Sequence, residues 1–481
     1  MPDTSPHESA PRPRRLLGRG YTPAQVRASL WYIIVAWFFG AGFFTLSNGA
    51  TLTAFLTKYL QTDDGSFGII MALPMVAVVL QFVGSYLTER TGLVKRHFLI
   101  WATTHRLLWL LVALVPLLLP HGEGAMQTGR IVLVGLVIFA SAALANFGGA
   151  GWMSWMSDIV PRALAGKFFG LRSSLGMVSM VIFALGGSFL IDAFQNAGWV
   201  YVLIFGLAAL LGAADILLFL PVPEVPRPPE GARMSPWVIL TTPWHNRIFR
   251  WFAGYIATAW IAYMMMGPFV WRFCIETRAH QGLGMSLTLA NWLLFLIPTL
   301  IMAMVSPLWG RAVDRFGAKA VLVTSSVAAA ALPIIWLFMR PGLEWLAWSV
   351  AILSGLTWPG IDQSLIYMQV KGFPDERRSA YNAMLAVVLG LASAVGVFLG
   401  GQLATFWQNH PSLLAGLPDW VSHYQPMFAT SIVLRAVAIV FLLSRLPLPN
   451  TAGQRTVYRA IAGELSTSVS RTVRRMLPPK R

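Results

Sequence analysis

Apolar residues run along this chain in long stretches separated by short polar connections. Twelve stretches stand out, roughly 30–56, 67–87, 98–119, 131–156, 169–191, 199–220, 249–271, 286–309, 320–339, 345–370, 379–403 and 425–444. A helix needs about 20 residues to cross a bilayer, and these runs supply that length repeatedly. A lone span in lipid must satisfy its own backbone hydrogen bonds, so each is expected to be helical. The alternating ten-residue pattern of barrel strands is missing. The pattern predicts an all-α polytopic membrane protein with twelve transmembrane helices.

Composition agrees. Of 481 residues, 56% are hydrophobic and 11% charged, where soluble proteins carry roughly 25% charged residues. The net charge of +17 raises the question of nucleic acid. The basic residues, however, sit in short clusters between apolar runs and in the tails, which points away from a nucleic-acid partner. Their distribution sets an orientation instead. The N-terminal tail, the even-numbered connections and the C-terminal tail hold 29 Lys and Arg, and the opposite set holds Lys58, Arg130, Arg272, Arg278 and Arg340. Both termini are therefore expected in the cytoplasm, with the chain in a bacterial-type cytoplasmic membrane. The first apolar run is too long for a cleavable signal. The single cysteine, Cys274, reads as apolar filler.

The longest interior connection begins "PVPEVPRPPEG", which cannot continue a helix. It divides the chain into a tail (1–28), a six-helix bundle (29–220), a linker (221–248), a second bundle (249–446) and a basic tail (447–481). The halves are alike. "SYLTERTGLVKR" (85–96) follows the second span and "GRAVDRFGAK" (310–319) the eighth, with Glu89, Arg90 and Gly92 matching Asp314, Arg315 and Gly317 at an offset of 225 residues. Pro161 and Pro374 match after spans four and ten. Gly186-Gly187 matches Gly400-Gly401, and spans six and twelve end in "LPVPEVP" and "LPLPN". Ordered landmarks of this kind indicate a duplicated six-helix unit, a transporter architecture.

Topology alone would need only Lys and Arg in the boxes. An acid beside Arg in both copies suggests a latch, since a carboxylate can cap the positive end of a neighbouring helix. Here the chain resembles the major facilitator superfamily, whose Gly-x-x-x-Asp-Arg-x-Gly-x-Lys/Arg box is met by Gly310, Asp314, Arg315, Gly317 and Lys319. The first copy departs, with Ser85 for Gly, Glu89 for Asp, and Lys95-Arg96 late. The resemblance implies two six-helix bundles rocking around a central cavity. It also implies gating loops at Asp158, Pro161, Lys167 and Arg172, and at Pro374, Glu376, Arg377 and Arg378. The drug–proton antiporters of that superfamily carry an Arg within helix 4 and a Gly-Pro-Gly-Gly pattern in helix 5. Span four has only Arg130 at its start and span five has no Pro, which weakens that subtype.

Ionisable groups deep in a span cost at least about 2.5–3.5 kcal/mol, so each needs a reason. Asp362, in "LTWPGIDQSL", is the first choice for a coupling carboxylate, with Pro359-Gly360 expected to permit a local break. Arg106 and Asp215 are about 6 Å apart in depth if helices 3 and 6 are neighbours, which favours a structural ion pair. His105 is a lesser candidate for proton transfer, and Arg435 has no partner that the sequence identifies. Asn48, Asn146, Asn291 and Asn382 could bind a solute or join helices. Many of the 20 Trp lie at span ends. Others, with Tyr263 and Trp358, suggest aromatic ring faces in a pocket.

Together these features predict a secondary transporter of a small-molecule substrate, most simply a proton-coupled symporter and alternatively an exporter of amphipathic compounds. It is expected to work as a monomer among membrane lipids, with protons as coupling ion and no cofactor or metal. A Walker-type box is absent, so ATP is not an obvious driver. The eight His are isolated, which argues against a metal-dependent lipid-modifying enzyme.

Overall fold

The computed structural model describes residues 22–119, 124–149, 151–161, 164–224, 241–374, 378–448 and 453–463. Among them the fold is helical throughout, without strands. The spanning helices are α1 (Pro23–Tyr59), α2 (Asp64–Thr88), α3 (Val94–Leu118), α4 (Ala125–Gly149), α5 (Ala165–Ala193), α6 (Gly198–Leu217) and α7 (Arg247–Ile275). A continuous helical stretch, Leu287–Leu337, follows. It changes direction at Gly317, whose φ of 78° and ψ of 155° are not helical, so α8 covers 287–316 and α9 covers 318–337. The series closes with α10 (Leu346–Tyr367), α11 (Ala380–Asn409) and α12 (Tyr424–Leu443). The eighth and ninth spans thus have no loop between them: "GRAVDRFGAK" stays helical but for one glycine.

Local chemistry sets several ends. Thr22 and Gln25 form a capping box at the start of α1, with Pro23 in its first turn. Asp63 caps α2 through the Ser66 N–H. At the other end of α2, Gly92 takes φ 67° and closes the helix onto the Thr88 carbonyl. The sequence leads one to expect a break at Pro359, yet α10 runs through it. The neighbouring Gly360 serves packing instead. A Cβ there would overlap Ser325 Oγ of α9, so only glycine admits this approach.

The end where α1 begins and α12 finishes carries the basic connections and is called here the basic face; the opposite end is the far face. On the basic face the duplication repeats in atomic detail. Lys95 Nζ donates to the Leu220 and Val222 carbonyls at 2.7 and 2.8 Å, where the chain leaves α6. Lys319 Nζ donates to the Ser444 and Leu446 carbonyls at 3.2 and 2.6 Å, where it leaves α12. Lys95 and Lys319, Leu220 and Ser444, Val222 and Leu446 are each 224 residues apart. Each lysine meets the negative end of a helix dipole. A short helix over 454–463 then folds back on the second half, burying Val457 and Ile461. Tyr458 Oη donates to the Thr324 carbonyl at 2.9 Å.

The halves meet chiefly through α2 against α11, α5 against α8, and the far end of α1 against α7 and α8. Contact between α2 and α11 runs over glycines, backbone to backbone at Gly68 and against the Val78 side chain as well as the Met75 carbonyl at Gly390. A Cβ on Gly68 would be 2.9 Å from the Gly401 Cα, and one on Gly390 would be 3.2 Å from the Met75 carbonyl. Further toward the basic face α2 turns to its own half, with Gly84 resting on Phe147 of α4.

Candidate functional site

The first half encloses a cavity of about 350 Å³, lined by Phe44, Asn48, His105, Arg106 and Asn146 among others. That volume suits a small ligand. Arg106 of α3 lines the cavity and is held from behind by α6. Arg106 Nη2 lies 2.8 Å from Asp215 Oδ2, and the guanidinium carbon sits 4.1 Å over the Phe43 ring. Arg106 Nη1 donates to His105 Nε2 at 2.9 Å, so the imidazole proton is on Nδ1, which donates to Ser141 Oγ at 2.8 Å. Ser141 donates in turn to the His105 carbonyl and accepts from Trp109 Nε1. The lone pair that a proton would take on His105 already receives a guanidinium N–H. Two glycines make room for the pair. A Cβ on Gly40 would lie 2.6 Å from Asp215 Oδ2, and one on Gly212 would lie 2.6 Å from Arg106 Cδ.

The second half has a different constellation. Arg435 of α12 is 7% exposed, yet it meets no carboxylate among the described residues. Nη1 donates to the Ala329 carbonyl of α9 at 2.8 Å and Nε to Ser431 Oγ at 3.2 Å, while the guanidinium lies 4.5 Å from the Tyr263 ring centre. Tyr263 in turn packs 4.8 Å from Trp358 and 5.6 Å from Trp260. One turn beyond Trp358, Asp362 is half-buried and has no hydrogen-bond or ion-pair partner among the described residues.

The remaining amides do other things. Asn48 and Asn146 line the cavity, each donating to the carbonyl four residues back. Asn291 is buried away from it and donates to the Ala184 carbonyl of α5 at 3.3 Å, so it joins the halves. Asn382 donates to the Gln369 carbonyl.

Sequence reasoning passed over the far face, where two carboxylates of the first half reach into the second. Asp192, ending α5, accepts from the Leu287 and Thr288 N–H groups at 2.9 and 2.8 Å and from Thr288 Oγ1 at 2.7 Å. It thereby satisfies amides that the first turn of α8 leaves open. Asp64, starting α2, is 2% exposed and gathers three partners. Arg272 Nε stands 3.0 Å from Oδ1, Tyr424 Oη donates to Oδ1 at 3.2 Å, and His423 Nε2 lies 3.0 Å from Oδ2. Arg272 also donates to the Thr62 carbonyl at 2.5 Å and stands 3.4 Å from Glu276. Burial pushes the Glu276 carboxyl above its usual range, with Arg272 opposing the shift.

The sequence profile of the Major Facilitator Superfamily matches residues 32–281 and 279–469. The chain belongs to this superfamily. Such proteins are transporters rather than enzymes, and among the described residues no group of His, Cys, Asp and Glu could hold a metal. Curated relatives include the "Putative multidrug resistance protein MdtD" of Klebsiella pneumoniae, 29% identical over 151 residues and covering 31% of each chain. The protein of the same name from Salmonella paratyphi B is 26% identical over 258 residues, covering 52% of this chain and 50% of the relative. This chain thus spans half or less of the curated relatives it matches. Solved structures extend the likeness over the whole fold. The nucleoside transporter NupG aligns at TM-score 0.62 and 13% identity, covering 88% of this chain and 100% of the other. A D-xylose-proton symporter aligns at 0.57 and 16%, covering 89% and 98%.

The superfamily's charged boxes lie at the basic face. Asp314 and Arg315 are exposed, and Arg315 leans over Phe316 at 5.1 Å. Arg90 is exposed as well, while the Glu89 side chain, Glu376 and Arg377 fall outside the described residues. Arg172, expected in a gating loop, lies in α5 between Trp37 and Trp152, 4.2 and 4.8 Å from their rings. No local signal singles out Asp64 and Asp192, because the odd-numbered connections carry seven acids, Asp63, Asp64, Glu123, Asp192, Glu276, Glu344 and Asp419, against five basic residues.

Proposed function

We propose that this superfamily member is a secondary transporter of a small amphipathic solute, working by alternating access and coupled to protons through Asp362. The basic face is then cytoplasmic, and the conformation described is open to the cytoplasm. The reading rests above all on where the halves are tied. Hydrogen bonds and ion pairs from Asp64, Asp192 and Asn291 tie the halves at the far face, while Arg90, Asp314 and Arg315 of the two boxes are exposed on the basic face. In the opposite state the boxes of Arg90 and Gly92, and of Asp314, Arg315 and Gly317, would latch the basic face shut. Asp362 suits the coupling role because it is a half-buried carboxylate with no cation among the described residues to hold it ionised. Aromatic faces at Tyr263, Trp260 and Trp358 stand one turn away. The cavity of Asn48, Asn146 and Arg106 offers a solute donors and acceptors.

Export of amphipathic compounds is the second reading on direction, favoured by the multidrug-resistance name of the curated relatives. Inverted vesicles with an imposed pH gradient separate the two. Solute moving with the protons supports symport, and solute moving against them supports export. In either direction Asp362→Asn is expected to abolish accumulation driven by the gradient while solute exchange persists. Undiminished accumulation by this variant would remove Asp362 from the mechanism.

A further inference from the structure

The far-face hub holds a proton that its geometry demands. The backbone N–H of His423 donates to Gln281 Oε1 at 3.3 Å, which identifies that atom as the amide oxygen. His423 Nδ1 lies 3.0 Å from the same oxygen and must therefore carry a hydrogen. The other ring nitrogen, Nε2, lies 3.0 Å from Asp64 Oδ2. A neutral imidazole with its hydrogen on Nδ1 would set a lone pair against a carboxylate there, so one further proton has to stand between Nε2 and Oδ2. The second oxygen of Asp64 already accepts from Tyr424 Oη and stands 3.0 Å from the Arg272 guanidinium, an ion pair that stabilises the ionised carboxylate. The added proton accordingly belongs on His423, as an imidazolium.

We propose that the His423–Asp64 contact is a proton-binding site whose occupancy closes the far face. Asp64 is the acid that the first half brings to this hub, beside the Thr62 and Asp63 carbonyls that hold Arg272. Arg272, Glu276, Gln281, His423 and Tyr424 all belong to the second half. Separation of the halves at the far face takes the anion away from His423 and leaves Arg272 beside it, so the proton departs to the solution on that side. Closure takes one up again. The charged surroundings act in the same sense. Arg272 on α7, which shares Asp64 with His423, opposes an imidazolium once that anion is withdrawn; Glu276 favours one but also faces Arg272, Lys58 at the end of α1, and His280. Without Asp64 the balance turns against the proton. Linkage fixes the sign: the closed state binds one more proton, so acid favours closure, and each unit of rising pH multiplies the far-open fraction up to about tenfold. This inference rests on the alternating-access reading but not on Asp362.

The test uses the full chain in lipid nanodiscs, with Cys274→Ala and spin labels at Phe194→Cys and Leu413→Cys, exposed positions near the far ends of the two halves. Inter-spin distances are recorded between about pH 5.5 and 8.5, a range that brackets ordinary histidine titration. The far-open population is expected to rise with pH, and His423→Gln, which keeps an N–H for Asp64 without titrating, is expected to flatten the profile. A His423→Gln profile that still follows wild type overturns the inference. Movement of the halves with no dependence on pH overturns it while sparing alternating access, whereas halves that never move overturn both. Nitrogen-15 spectra of labelled His423 give a second reading in the closed state. Protons on both ring nitrogens are expected, and a bare Nε2 sinks the proposal.

Discussion

Each half of the molecule buries an arginine under an aromatic ring of its first helix, and the two halves neutralise it differently. Arg106 lies under Phe43 and meets Asp215, so the first half closes its charge internally. Arg435 lies under Tyr263 and meets only the Ala329 carbonyl, the Ser431 hydroxyl and the Met266 sulfur among the described residues. The two helices that the guanidinium links correspond in the repeat: α3 to α6 in one half, α9 to α12 in the other. What differs is the acid. The second half keeps its carboxylate apart, at Asp362, where no described residue holds it. One half is thus electrostatically settled and the other is left responsive, as a two-part machine with a rigid partner and a chemically active one would need.

That contrast can be broken at several points. The largest effect is expected from Asp215→Ala, which strands a buried guanidinium and should cost about 3–5 kcal/mol. A steep loss of thermal stability in detergent would show it, and Arg106→Met combined with Asp215→Leu should recover most of that loss. Arg435→Met is expected to cost less, about 1–2 kcal/mol, because only neutral acceptors lose a donor. Equal losses from Asp215→Ala and Arg435→Met would erase the distinction between the halves. Gly40→Ala, which drives a methyl onto Asp215, should cost about 1–3 kcal/mol with no charge removed. Replacing either lysine of the repeated tether, Lys95→Met or Lys319→Met, should cost about 1 kcal/mol and by similar amounts, since the two geometries match. The smallest change in stability is expected from Asp314→Asn, within about 0.5 kcal/mol, because the side chain is exposed. Its transport rate should nevertheless change if the box latches the opposite state.

Elements that depend on the chain's own period were legible in its residues. The succession of apolar helices and the repeated boxes follow from apolar length and order. The shared depth of Arg106 and Asp215 is likewise a matter of counting along two helices, and the structure has them 2.8 Å apart. Residues whose meaning depends on how two bundles lean together were not legible. Asp64, His423 and Arg272 lie more than 140 positions from one another and signal nothing locally. Asn291 reads as a cavity amide from its helix alone, but its rotation about the axis turns it to α5. Arg435 reads as unpartnered because backbone carbonyls, which answer it here, leave no mark in a sequence. The Pro359-Gly360 pair misleads for a related reason: close packing and a broken helix ask for the same small residues.

The glycine seam between α2 and α11 has a mechanical consequence. Where Gly68 and Gly401 touch, there are no interlocking side chains to pull apart, so the surfaces can roll over each other at little cost. The seam also sits well off centre. From Gly68 to the basic end of α2 is about 30 Å of helix, and a tilt of about 15°, a scale familiar from rotating subunits, would swing that end by roughly 8 Å. A pivot so placed turns a shift of an ångström or two among the far-face carboxylates into a doorway wide enough for a molecule.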